Sequence, residues 1–131
     1  MAKKKSYNFI VSLVLYPFDV MFSFAETDEQ LLKTMKKVTS DGDWDEITES
    51  IKFSHPKQHA FTVIFTNGYT LIRMRKLPDN PDLVGILSHE CFHAISGIMD
   101  RIGMPLQFGV SEEGYAYGIG YLVSKALEPL N

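Results

Sequence analysis

The stretch GILSHECFHAISG, Gly85 to Gly97, carries two of the four histidines of the chain, His89 and His93, with Glu90 directly after the first. Its surroundings read as one helix. Asn80 and Pro81 supply a start, and Gly103 and Pro105 close the helix after about Arg101. At about 100° per residue, Val84, Leu87, Cys91, Ile95, Ile98 and Ile102 fall on one stripe, the expected core face. His89, His93, Ser96 and Asp100 fall on nearly the opposite side. The histidines are therefore presented as a pair, one turn apart, to something other than the core.

Outward from this helix the rest of the chain supplies a sheet and further helices. HAFTVIFTNGYTLIRMRK, residues 59–76, reads as a hairpin with strands 59–66 and 69–76 around Asn67-Gly68, a dipeptide suited to a type I′ turn. Nearer the N-terminus, Lys3, Lys4 and Lys5 followed by FIVSLVLYPF mimic a secretory signal. Pro17 and Asp19 interrupt that run, however, and Phe18, Val20, Phe22 and Phe24 alternate with Asp19, Met21, Ser23 and Ala25. This is strand periodicity, so 7–16 and 18–25 are read as a strand and a second strand or its continuation, and the chain as cytoplasmic. A single cysteine, Cys91, allows no internal disulfide and fits a reducing compartment.

Thr27 is the expected cap of a helix over 28–38, with Leu31, Leu32 and Met35 at helical spacing. SDGDWDEITES, residues 40–50, reads as an acidic, solvated turn with at most a short helix after Asp43. Asp41, Asp43 and Asp45 do not make a calcium loop, because Glu46 stands where glycine is required and Lys52 where a bidentate glutamate is. A last helix is expected over 111–127, capped by Ser111 and opened by Glu112 and Glu113. The order implies an α+β fold: a small mixed or antiparallel sheet packed on the helix that bears the histidines. With 131 residues, 45% of them hydrophobic, a single domain over 1–131 is expected. A net charge of −3 with no longer basic run argues against nucleic acid or an anionic membrane as partner, and no apolar run is long enough to span a bilayer.

The pattern His89-Glu90-x-x-His93 has a mechanical reason at each fixed position. Imidazoles at i and i+4 project together and can share one zinc ion. The intervening glutamate sits beside the metal, where it can act as general base toward a water that zinc makes acidic. A metzincin would require glycine and histidine where Ser96 and Met99 stand, so the third ligand must come from elsewhere. Asp100, two turns beyond His93, fits better as an acceptor of an imidazole N–H. In SEEGYAYGIGYLVSKAL, Tyr115, Ile119, Leu122, Val123 and Ala126 form an apolar stripe, and Glu113 heads a second one with Ala116, Tyr117, Gly120 and Ser124, in which the small Ala116 and Gly120 allow a close crossing that brings its carboxylate to the metal. Tyr117 or Tyr121 would then line the cleft and donate to a developing oxyanion.

His89 to His93, followed about twenty residues later by Glu-Gly-Tyr-Ala-Tyr at 113–117, resembles the gluzincin metallopeptidases, in particular their smallest members. The chain is also similar to small zincin-like proteins encoded by tailed phages. The resemblance is specific over 83–124. It implies one zinc ion per chain held by His89, His93 and Glu113, with Glu90 as base and the C-terminal helix closing the metal site. It also implies hydrolysis of a peptide or protein substrate lying beside an edge strand. Two other readings of the same residues stand beside it: an exposed histidine pair on a solvated helix face, and a zinc-binding module used for stability or partner binding without catalysis. His55 and His59 have metal-like spacing, but Pro56 prevents a regular helix between them, and they are read as loop and strand-start residues.

Overall fold

The computed structural model describes residues 5–13, 16, 18–38, 41–52, 59–65 and 68–131. Strands β1 (Tyr7–Ser12) and β2 (Asp19–Phe24) pair antiparallel, with Tyr7 opposite Phe24 and Ser12 opposite Asp19. The first strand is thus shorter than the apolar run suggested. It ends where the chain reverses, with the Leu13 N–H donating to the Phe18 carbonyl and the Tyr16 N–H to the Leu13 carbonyl. Val14, Leu15 and Pro17 lie outside the described residues.

Helix α1 (Asp28–Val38) begins with a reciprocal cap. The Thr27 hydroxyl accepts the Gln30 N–H at 3.1 Å, and the Gln30 side chain accepts the Thr27 N–H at 2.8 Å, satisfying two donors that the first turn leaves open. Helix α2 (Asp41–Lys52) includes the short helix allowed after Asp43 and extends over most of the stretch otherwise read as a solvated turn. Ile47 and Ile51, one turn apart, are buried, and Trp44 packs beside them. Three apolar residues on one face outweigh the acidic composition of the other.

Strands β3 (Ala60–Ile64) and β4 (Thr70–Met74) form the expected hairpin, but Phe65 pairs with Tyr69, so three residues connect the strands and not the two of a type I′ turn. Gly68 turns with φ +91° and donates to the Phe65 carbonyl, while Thr66 and Asn67 lie outside the described residues. Helix α3 (Pro81–Arg101) is capped by the Asn80 side chain, which accepts the Leu83 N–H at 3.0 Å. Helix α4 (Glu112–Leu127) is followed by one 3-10 turn, Glu128–Leu130. Ser111 does not cap α4 with its side chain. Its hydroxyl accepts the Gln107 N–H and donates to the Pro105 carbonyl, closing the preceding loop instead.

The sheet is mixed, in the order β1-β2-β4-β3, with a parallel seam between β2 and β4 joining two antiparallel hairpins. Among the described residues the architecture is α+β, four strands and four helices. Residue alternation divides two cores. Val20, Phe22, Phe24, Ile72 and Met74 face α3 and α4, whereas Met21, Phe61, Phe65 and Leu71 face α1 and α2. The second layer lies beyond the sequence-based expectation, which packed the sheet on the C-terminal helices alone.

This second core contains a buried cation. Arg73, 1% exposed, lies between β2 and α1. Its guanidinium donates to Asp28 at 3.1 Å and to the Ser23 hydroxyl at 3.3 Å, and Ser23 in turn donates to Glu26 at 2.7 Å. Burial pushes the Arg73 pKa below its ordinary value, and the bond and charge of Asp28 oppose that shift. Among the described residues, no helix is long and apolar enough to cross a membrane.

Candidate metal centre

Helix α3 lies over β3 and β4, and α4 lies against α3 and β1. The side of α3 that the sheet and α4 cover carries Leu87, Cys91, Ala94, Ile95, Ile98 and Met99, all buried. The expected stripe is correct in its centre and wrong at its ends: Val84 is only half-buried and Ile102 is 36% exposed. Cys91 is fully buried, and loss of hydration, reinforced by the nearby Glu90 charge, pushes its thiol up to about 12. It is a packed thiol and faces away from the histidines.

The opposite margin of α3 meets the edge strand. A Cβ built on Gly97 would lie 1.8 Å from the Ile64 Cδ1, so the absence of a side chain there lets α3 settle against β3. One and two turns earlier, His93 and His89 stand exposed beside the same strand. Together with Glu90, Ala60, Phe61, Thr62 and Ile64 they line a cleft of about 490 Å³.

Within that cleft the two imidazoles converge. Their Nε2 atoms are 3.0 Å apart, and the rings meet edge to face at 77°. Two nitrogens on a tetrahedral zinc, each at about 2.0–2.1 Å, would be separated by roughly 3.3 Å. As it stands the contact is an imidazole–imidazole hydrogen bond, in which one Nε2 carries the shared proton; an ion taking the place of that proton would need the two nitrogens to part by a few tenths of an ångström and both lone pairs to turn toward it. In donor chemistry and in separation, His89 and His93 fit half of a zinc site.

Glu90 is buried, at 7% exposure, and turns toward β3. The Thr62 hydroxyl lies 2.9 Å from its Oε1 and 3.1 Å from its backbone oxygen. No feature of the sequence marked Thr62. Only strand alternation, which puts residues 60, 62 and 64 on the α3 side, hinted that it would lie there. Strand pairing adds a second property. The His59 carbonyl accepts from the Arg75 N–H and the Phe65 N–H donates to Tyr69, so residues 59, 61, 63 and 65 turn their backbone groups toward β4. Ala60, Thr62 and Ile64 turn theirs to the other side, which no strand among the described residues pairs.

Glu113 is not brought to the histidines. The space beside Gly118 is filled by Ile95 and that beside Gly114 by Met99, so α4 runs antiparallel to α3 with Glu113 level with Asp100. Seven residues separate that level from His93, roughly 10 Å along the axis. Moreover, α4 lies on the β1 side of α3, where the Tyr121 hydroxyl donates to the Ser12 carbonyl at 3.4 Å, whereas the cleft lies on the β3 side. The close-packed face of α4 is Gly114, Tyr115, Gly118 and Leu122, one residue out of phase with the expected stripe, and Tyr117 is 75% exposed. Among the described residues, no three His, Cys, Asp or Glu side chains gather closely enough to hold a metal. His59 borders a different cavity, of about 590 Å³, with Lys5, Lys76 and Asp82 at the start of α3; His55 lies outside the described residues.

In comparisons with known proteins, no family model, no curated protein and no solved structure matches the chain.

Proposed function

We propose that this chain is a zinc-dependent hydrolase acting on peptide bonds, a small zincin-like domain whose metal rests on the His89–His93 pair. The observation that carries the reading is the 3.0 Å convergence of the His89 and His93 Nε2 atoms in the cleft that also holds Glu90 and the free edge of β3. A zinc ion held by the two imidazoles would supply Lewis acidity toward a water and a substrate carbonyl. The remaining work falls to the chain. Glu90, engaged through Oε1, has its second carboxylate oxygen to take a proton from the attacking water and return it to the departing amine. The outward N–H and C=O groups of Ala60, Thr62 and Ile64 receive an extended peptide as an added strand, which holds the scissile bond beside α3.

Tyr117 and Glu113 have no part in this mechanism. Two imidazoles leave two positions of a tetrahedral ion open, one more than a three-ligand catalytic site leaves. The same observation favours a second reading, a zinc-binding module without turnover. One experiment separates the two. Zinc-loaded protein is assayed on an internally quenched peptide library, beside Glu90→Gln. Retained zinc with lost turnover supports the hydrolase, and no turnover in the parent protein supports the module.

A further inference from the structure

Thr62 has one hydroxyl hydrogen and two acceptors within reach, both on Glu90: the Oε1 at 2.9 Å and the backbone oxygen at 3.1 Å. This is a three-centre bond that ties the side chain of Glu90 to its own helical backbone through one atom of a neighbouring strand. The anchor is stiff, because threonine is branched at Cβ and its χ1 is restricted. The contact is also shielded, since Glu90 is 7% exposed. Thr62 also turns its backbone N–H and C=O away from β4, toward the side of β3 that no strand among the described residues pairs. Thr62 thus touches the proposed peptide track with its main chain and the proposed base with its side chain.

We propose that Thr62 is a positioning residue for Glu90: its hydroxyl fixes the carboxylate, so that Oε1 is occupied and Oε2 is the oxygen presented for proton transfer. The inference rests on the hydrolase reading for its consequence in turnover, but the positioning itself is independent of activity. A strand that docks on β3 grips the residue that holds the base, so peptide binding steadies Glu90 through a single side chain.

The test compares Thr62→Val, which keeps the shape and loses the hydroxyl, with Thr62→Ser, which keeps the hydroxyl. Carboxylate ¹³C resonances are recorded on glutamate-labelled protein, with the Glu90 signal assigned by its loss in Glu90→Gln. The expected result is a displaced Glu90 signal in Thr62→Val and a near-parental one in Thr62→Ser. Circular dichroism and zinc titration should show both variants folded and binding zinc as the parent does. On the quenched peptide library, kcat should fall roughly tenfold or more in Thr62→Val, with KM within about twofold and recovery in Thr62→Ser. An unchanged Glu90 signal in Thr62→Val, or equal losses in both variants, overturns the proposal. Absence of turnover in the parent, with the signal displaced as expected, overturns the hydrolase reading and leaves the positioning intact.

Discussion

Ile64 fills the notch that Gly97 leaves on α3, its Cδ1 standing 1.8 Å from where a Cβ at position 97 would be. This contact sets how closely the helix lies on the edge strand. The separations on which the cleft depends, Thr62 to Glu90 among them, follow from it.

Gly97→Ala should therefore be destabilising although alanine is the better helix former. The added methyl forces the Ile64 end group aside; overpacking typically costs about 1–3 kcal/mol, and because Cδ1 is the flexible end of its side chain this case falls at the lower end. Removing that group in an Ile64→Val background should return part of the loss. Chemical denaturation of the four proteins forms a double-mutant cycle. Strict additivity would mean that the two residues are not coupled.

Zinc should bind with one ion per chain, and His93→Ala should abolish binding at micromolar levels. Glu113 distinguishes two arrangements. A ligand, as helical periodicity suggested, would be indispensable. With α4 in the register described, Glu113→Ala should weaken binding by less than about tenfold, the lower limit for groups that merely support a ligand. Isothermal titration with zinc decides between them.

Asp28→Asn should lower stability. Arg73 is almost fully buried and keeps its charge against desolvation with the help of the Asp28 carboxylate at 3.1 Å. An under-compensated buried donor costs about 1–3 kcal/mol, and the 40% exposure of the Asp28 side chain places this case at the lower end. A thermal unfolding midpoint equal to the parent's would show that Arg73 finds its compensation elsewhere, for instance through Ser23.

Cys91 should resist alkylation in the folded protein. It is fully buried and its thiol is pushed up to about 12, so almost none is thiolate at pH 8. Iodoacetamide at that pH should leave it intact over hours and modify it completely in denaturant. Rapid labelling without denaturant would mean that α3 does not hold its core face against the sheet.

The parts legible in the sequence are those governed by neighbours in the chain. Thr27 with Gln30, Asn80 with Pro81, and the strands flanking Gly68 each declare a boundary through local backbone chemistry. The i, i+4 spacing of His89 and His93 likewise fixes their convergence once α3 is a helix. What was misread depends on packing between distant segments. Helix α2 is longer than the short helix allowed after Asp43, because the acidic composition hides an apolar face: Ile47 and Ile51 acquire meaning only against Phe61 and Leu71. The apolar stripe of α4 is the buried one, as its spacing implies, but the close crossing falls on Gly114 and Gly118 and not on Ala116 and Gly120, which are as small. Only Met99 and Ile95 on the neighbouring helix decide which pair is used. Thr62 was invisible for the same reason: its partner lies 28 residues away.

The arrangement of two hairpins joined by a parallel seam has a kinetic consequence. Thr62 and Glu90 are 28 residues apart, whereas Arg73 and Ser23, across the β2–β4 seam, are 50 apart. Shorter loops close at lower entropic cost, and non-local strand pairing slows assembly. The hairpin of β3 and β4 with α3 is therefore expected to organise first, and the β1–β2 hairpin to dock onto it later. Substitutions at Ile64 should slow refolding, whereas those at Phe22 should chiefly speed unfolding, a contrast that stopped-flow φ-values would read directly. On this view the cleft belongs to the early nucleus of the protein, and the N-terminal hairpin is free to vary in stability without disturbing the order in which the histidines and Glu90 find their places.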